Sequence, residues 1–420
     1  MKTSFIKSLV VCFLVVCNFN IGFGMIQDIE DYTEYEGVVL DSKSKKPLIS
    51  AQIDLEGTNI STITNIEGEF LIKVPDAYKD NNVVITHLGY KKTVIGLSYF
   101  EGKKRKIMMD VLITKLDEVS ITVPQDAITL VKKALDKKGD AYLQNRLIMT
   151  AFYRETIKKR RKNASLSEAV VEIYKQPYQT GQRDAVSVLK ARKNTDYSRL
   201  DTLAVKLQGG PFNTMFSDVV KYPIYVFNDS YLDNYDFNMG QTTQINDRPV
   251  YTVNFKQKPD NNNPLYYGKL YIDSQSFALV SAVYELNVEN KELSGRLFIR
   301  KKPNRAKVYP TRAAYRVDYK TIDGKWYYGY SNVQLAFKVN YDKRLFNSVY
   351  TLSSEMAITD WKFNTTDKIR PDRPLRPSVI LADEIRGFGD PEFWGQYNII
   401  EPEKSIESAI RKIRNKLNKS

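Results

Sequence analysis

The sequence predicts a mainly β protein: a small N-terminal β-sandwich followed by a large curved antiparallel sheet or partial barrel with a few helices. Three observations carry this. Apolar and polar residues alternate over many runs, the period of a strand with one buried face. Gly, Pro, Asn and Asp punctuate those runs as turn signals. The chain also holds 28 Tyr and 19 Phe, types that suit a pleated, half-buried surface, and they crowd the alternating runs between Leu147 and Trp361.

The elements follow in chain order. Residues 1–24 predict an export signal. Lys2 and Lys7 supply positive charge, Ile6 to Val16 a short apolar core interrupted by Lys7 and Ser8, and Gly22-Phe23-Gly24 the small residues at a cleavage point. An uncleaved anchor is the alternative. A lipoprotein signal fits poorly, because Cys17 follows Val16 and Cys12 is no better placed. Residues 25–34, rich in Asp and Glu, predict a short leader.

Residues 35–116 predict the sandwich. Ala51, Ile53 and Leu55 alternate with polar neighbours, as do Phe70, Ile72 and Val74. Turn signals fall at Asp41 to Pro47, Gly57-Thr58-Asn59, Glu67-Gly68 and Asp80-Asn81-Asn82. Val83 to Thr86 is a further strand, running into His87-Leu88-Gly89-Tyr90, and Lys106 to Leu116 closes the unit. Strands so spaced suit a small sandwich. A connector follows at Ile121 to Pro124, then helical spacing at Ile128, Val131, Ala134 and Leu135, with Gly139 as a helix stop.

Residues 125–365 predict the large antiparallel β domain. Ala151 to Glu155 enters a hairpin and Ala169 to Tyr174 leaves it; Tyr251, Val253 and Phe255 alternate, as do Ala278 to Leu286. Asp323-Gly324, between the alternating runs at Ala313–Tyr319 and Trp326–Tyr328, is a strong hairpin signal. Residues 180–220 read as irregular, with a short helix at Met215 to Val220, a flap or insertion against the sheet. Residues 366–420 predict an extended Pro-rich linker and a C-terminal amphipathic helix, Ser405 to Leu417. That helix suits either a membrane surface or docking on the sheet.

Composition narrows the chemistry. Both cysteines, Cys12 and Cys17, lie in the signal, so the mature chain offers no disulfide, thiolate metal site or cysteine nucleophile. The net charge is +14, of which Lys2 and Lys7 belong to the signal. The densest basic run, Lys158-Lys159-Arg160-Arg161-Lys162, reads as a solvated hairpin tip rather than a nucleic-acid stripe.

The stretch Gly37 to Pro75 resembles the carboxypeptidase-regulatory-like module. The resemblance rests on Gly37, Asp41, Pro47, Leu48, Ala51, Gly57, Thr58, Thr64, Asn65, Gly68 and Phe70, with the later Gly89-Tyr90. It implies a transthyretin-like β-sandwich, an accessory unit common in exported proteins of Bacteroidetes-type bacteria. The remainder resembles the large β-rich partner region found with this module. The strand Gly268-Lys269-Leu270-Tyr271-Ile272-Asp273 is also similar to strands of lipoprotein-carrier-type half-barrels.

The module's name does not imply peptidase activity. A zinc peptidase needs histidine ligands with a carboxylate, and His87 is the chain's one histidine. The same count removes Ser-His-Asp and Cys-His chemistry. Carboxylate pairs remain: Glu155 with Glu168 across the first large hairpin, or Asp390 with Glu392, although an ion pair with Arg154 is the more ordinary role for Glu155 or Glu168. Gly209-Gly210-Pro211 lacks the Lys-Ser/Thr of a phosphate loop.

No catalytic, cofactor or metal residue is therefore assigned, and no cofactor expected. The leading expectation is a non-enzymatic exported cell-envelope protein, periplasmic or outer-membrane-associated, that binds or scaffolds. Its partners would be envelope proteins, lipid or glycan, with peripheral membrane association open and nucleic acid excluded. The alternatives are a periplasmic carrier with an apolar cavity for lipid or acyl chains and a carboxylate-based hydrolase. A continuous cavity would favour the carrier, a filled interior the scaffold, and convergent acids the hydrolase.

Overall fold

The structure, a computed structural model, describes residues 31–112, 126–160, 162–195, 208–227, 229–245, 247–299, 305–342, 347–384 and 393–403. The expected export signal, the connector at Ile121–Pro124, the pair Asp390 and Glu392 and the helix at Ser405–Leu417 lie outside these residues.

Seven short strands form the N-terminal unit: β1 (Tyr32–Asp41), β2 (Gln52–Leu55), β3 (Ser61–Ile63), β4 (Glu69–Pro75), β5 (Asn82–Thr86), β6 (Thr93–Gly96) and β7 (Arg105–Met109). They make a three-stranded sheet, β4-β1-β7, and a four-stranded sheet, β3-β2-β5-β6. Val39, Ile53, Phe70, Ile72 and Ile85 are buried in one core cluster. The acidic leader ends sooner than its composition suggests. β1 begins at Tyr32 and pairs Thr33 and Glu34 with Val74 and Lys73 of β4, and Glu34 lies 3.5 Å from the Lys73 ammonium.

The residues that carry the module's pattern build its turns. Gly57, Gly68 and Gly89 have φ of +74°, +73° and +80°, the left-handed region that glycine enters without a steric cost. Asn65 Oδ1 accepts from the backbone N–H groups of Glu67 and Glu69 at 2.8 and 2.9 Å. Asp41 Oδ1 accepts from the N–H groups of Lys43 and Ser44, and its Oδ2 from Tyr90 Oη at 2.9 Å. The Ser44 N–H, first among these donors, holds the Asp41 carboxyl down at about 2. Gly37 has a different reason: a Cβ there would sit 2.5 Å from the Phe70 ring.

The second unit is one antiparallel sheet of eleven strands. They are β8 (Leu147–Lys159), β9 (Lys162–Lys175), β10 (Ala185–Thr195), β11 (Tyr235–Met239), β12 (Thr243–Ile245), β13 (Arg248–Gln257), β14 (Tyr266–Asp273), β15 (Leu279–Leu286), β16 (Ala306–Ile322), β17 (Lys325–Tyr341) and β18 (Ser348–Phe363). Their order is β10-β9-β8-β18-β17-β16-β15-β14-β13-β11, with β12 on β13. The sheet is curved and not closed. Asp323 and Gly324 take positive φ between β16 and β17, the hairpin turn that this dipeptide favours. The basic run falls at the β8–β9 tip, where Arg160 has φ +55°.

Three local expectations are corrected. Residues 185–195 form β10, paired to β9 on both sides of Leu189, where irregular chain was expected; a register shift between Val188 and Lys190 interrupts the alternation. The helix expected at Met215–Val220 is instead α3, Pro211–Met215, after α1 (Ala127–Asp136) and α2 (Lys138–Ala141). Gly139 therefore lies inside α2; α1 ends at Asp136, with Lys137 as its C-cap. Two further helices, α4 (Lys291–Phe298) and α5 (Leu381–Glu384), complete the described set.

One face of the sheet, the inner face, is filled by these segments. Leu130, Val131 and Leu135 of α1 and Phe212, Met215 and Phe227 of the 208–227 segment share a cluster with inner-face residues such as Met149 and Tyr153. At the other end, α4 lays Phe298 edge-on to Phe337 of β17 at 5.9 Å. The sandwich docks on the opposite, outer face.

Candidate interaction surface

The outer face begins with a charged row across four strands. Register places Arg192 of β10 beside Glu168 of β9, Glu168 beside Arg154 of β8, and Arg154 beside Glu355 of β18. Arg192 Nε and Arg154 Nε each donate to Glu168 at 2.8 Å. Burial works to raise the Glu168 carboxyl, but the two guanidiniums outweigh it and hold the group below its ordinary range. Each residue here is buried except Glu355, which is partly buried.

Residues 393–403 strap this row. Arg154 Nη2 donates to Ile400 O at 2.6 Å and its Nη1 to Glu401 O at 3.3 Å. Trp394 lies edge-on to Phe152 at 5.4 Å and under the Arg192 guanidinium at 4.8 Å. On its far side the strap caps the sandwich. Asn398 Oδ1 accepts from Lys73 N at 2.7 Å while its Nδ2 donates to Lys73 O at 3.1 Å. A single side-chain amide thus meets the outer edge of β4 as a neighbouring strand would. Lys73 Nζ also donates to Gly395 O.

The sandwich also joins the sheet directly. The β17–β18 ladder ends at Tyr330 and Ala357. Beyond it, the β18 carbonyls of Ile358 and Trp361 accept from Ser61 Oγ at 3.0 Å and Asn59 Nδ2 at 2.8 Å. Ser50 Oγ donates to Tyr330 Oη at 3.1 Å, and Lys320 Nζ donates to Asp54 at 2.6 Å. Ile63 of β3 enters an apolar cluster with Phe152, Val170, Tyr330 and Trp394.

The inner face holds a buried ionic centre. Lys175 Nζ donates to Asp184 and Asp218, both at 2.9 Å, and lies 4.6 Å from the Tyr178 ring centroid. Tyr222 Oη donates to Asp184 and Tyr319 Oη to Asp218, at 2.9 and 2.8 Å. Burial works against the ammonium, yet the two carboxylates raise its pKa above the ordinary lysine value. Lys221 differs: burial lowers it to about 8, while its Nζ donates to three backbone carbonyls, of Gln176, Pro177 and Thr180.

Glu155 and Glu168 do not converge. Register sets Glu168 opposite Arg154 and Glu155 opposite Ser167, and neighbouring residues of a strand point to opposite faces. Glu168 therefore joins the outer row as an ion pair. Glu155 lies on the inner face, where Tyr153 Oη donates to it at 3.0 Å. Burial pushes its carboxyl up to about 7. Gly209 and Gly210 lead into α3 with φ of +113° and +50°, and Gly209 N donates to Val379 O at 2.7 Å. They form a backbone junction.

His87 stands at the seam between sandwich and sheet, its Nε2 3.1 Å from Ile49 O and its Nδ1 3.2 Å from Leu88 O. Burial, and then the charge of Arg316, lower its pKa. Among the described residues, no group of three or more His, Cys, Asp or Glu side chains is placed to hold a metal, and no helix is long and apolar enough to cross a membrane.

Two features escaped sequence reasoning. The Lys175 centre joins residues from three separate segments, and only its position at the end of an apolar strand hints at burial. The strap falls in the stretch expected to be an extended linker, and nothing in Asn398 alone marks it as an edge cap.

Three solved structures give distant likenesses. A crystal structure of an outer membrane lipoprotein-sorting protein domain from Vibrio parahaemolyticus is 14% identical, over 58% of this chain and 94% of that one, with a TM-score of 0.23. A DUF1329 family protein from Desulfovibrio piger is 13% identical over 58% and 93%, at a TM-score of 0.22. A lipovitellin structure is 10% identical over 54% and 26%, at 0.25. Likeness at this level carries no argument about this chain. No curated protein matches it. The family model for the CarboxypepD_reg-like domain matches residues 35–121, so the sandwich described above is a CarboxypepD_reg-like domain, followed by a large β-rich region.

Proposed function

We propose that this is a non-enzymatic exported protein of the cell envelope, in which the curved sheet and its docked sandwich form a single scaffolding or binding body. The observation that supports it is the filled inner face. A cavity lined there by Met149, Ile173 and Met215 offers about 10 Å³ to water centres, enough for about one water. A site that engulfs a small ligand takes on the order of 300–1,000 Å³. The inner face is occupied by α1, α3, α4 and the segment around Phe227, which disfavours the acyl carrier. Separation of Glu155 from Glu168 disfavours the carboxylate hydrolase.

Native mass spectrometry of the protein purified from its own host tests the reading. A co-purifying envelope protein or glycan with no bound lipid is the expected result. A stoichiometric lipid adduct that survives desalting would restore the carrier and overturn the scaffold.

A further inference from the structure

Between the sandwich and the outer face of the sheet lies a small polar cleft. Gln52 and His87 line it from the sandwich side, and Ser281, Arg316 and Asp318 from β15 and β16. The Lys92–Asp247 ion pair, at 3.0 Å, joins the same two units.

The hydrogen-bond inventory of this cleft is unbalanced. Asp318 is satisfied on both oxygens, by Ser281 Oγ at 2.6 Å and Arg316 Nε at 2.8 Å. Arg316 has five N–H donors in a fixed fork, and Nε is engaged with Asp318. Its two terminal nitrogens have no protein acceptor among the described residues, although the side chain is only 27% exposed. The Gln52 side-chain amide likewise has no protein partner among them, and it is partly buried. The cleft offers about 30 Å³ to water centres, room for two or three waters. Two carboxylate oxygens fill the same space.

We propose that the cleft binds the carboxylate group of a small anionic ligand, its two oxygens held by the terminal nitrogens of Arg316 and one of them also by the Gln52 amide. The fork geometry of a guanidinium pairs in bidentate fashion with a carboxylate or a phosphate but not with a spherical anion, and the small cleft has room for the two oxygens of a carboxylate rather than for a bulkier tetrahedral group. Because Asp318 already balances one charge, selectivity comes from this geometry rather than from net charge. The site is independent of the scaffold reading, which stands whether or not the cleft binds an anion.

His87 makes the test direct. It is the chain's one histidine, so its imidazole ring gives a single reporter resonance. An anion on Arg316 offsets the charge that opposes imidazole protonation, so binding raises the His87 pKa. The full-length protein is titrated with sodium acetate at constant ionic strength and followed by the His87 Cε1–H signal. The expected result is a saturable shift with an upward move of the imidazole titration midpoint, and no such saturation with chloride. Arg316→Lys keeps a cation beside Asp318 but loses the fork, and is expected to abolish saturation. Gln52→Ala, which removes no ion pair, is expected to weaken acetate about tenfold. A non-saturating shift, equal saturation by chloride or phosphate, or unchanged acetate binding in a folded Arg316→Lys protein would each overturn the proposal.

Discussion

Glu155 shows how one buried residue sets a pH dependence. Its carboxyl is raised to about 7 chiefly by burial; Tyr153 and Ser167 hydrogen bonding opposes the rise and the nearby Asp383 charge adds to it. In the unfolded chain it returns to the ordinary carboxylate range. Below about pH 4.5 both states hold the proton and Glu155 costs nothing. Between about 4.5 and 7 the folded protein keeps a proton that the unfolded chain has released, so stability falls as pH rises, by about 3 kcal/mol in all. Glu155→Gln should flatten the urea midpoint across this window and exceed the parent in stability at pH 8. An unaltered pH profile in that variant would count against the assignment. His87 has the opposite sign: its folded pKa is lowered by burial and by Arg316, with Asp318 working against them. Its contribution is lost as pH falls below about 6.5, the unfolded value. The Glu155 environment was not legible in the sequence, because alternation places a residue on a face but does not say whether that face meets solvent or a helix from elsewhere in the chain.

At the scale of elements, alternation and turns were the legible part. The β16–β17 hairpin follows from Asp323-Gly324, and the sandwich strands from the spacing of Ile53, Phe70 and Ile72. β10 was missed because the register shift at Leu189 breaks a period that sequence reasoning counts, and α3 was displaced because Gly210-Pro211 starts the helix earlier than its apolar residues suggest. Gly268 in β14 illustrates a constraint that only packing reveals. A Cβ there would lie 2.2 Å from Val283 O and 2.6 Å from Tyr284 Cα, both backbone atoms that cannot swing aside. Gly268→Ala is expected to destabilise by about 1–3 kcal/mol, whereas Gly181→Ala, with nothing within 4 Å of the added carbon, should leave the denaturant midpoint nearly unchanged. Comparable losses in the two variants would argue against the tight β14–β15 approach. The strap makes a larger demand. Trp394 is 3% exposed, and Trp394→Ala is expected to cost about 3–5 kcal/mol and to open the 393–403 segment to limited proteolysis before the rest of the chain is cut.

At the scale of the molecule, the sandwich and the sheet are joined by buried hydrogen bonds, a 2.6 Å ion pair between Lys320 and Asp54, and a shared apolar cluster. They are expected to unfold together: calorimetry of the intact protein should give one transition, and two well-separated transitions would contradict this joint. None of this was legible in the sequence, because the pairing partners lie far apart, as with Thr62 Oγ1 and Ile399 O, 337 positions distant, and no local pattern encodes such a meeting. The Asn398 cap has a consequence in time. Its partner Lys73 lies 325 residues earlier, so a growing chain completes β4 long before its cover exists. At roughly 5–20 residues per second, that strand edge stays open for roughly 15–65 s of synthesis, an interval in which an unpaired edge recruits other strands. Newly made protein should therefore be most prone to self-association, and most dependent on holding chaperones, just before residue 398 emerges.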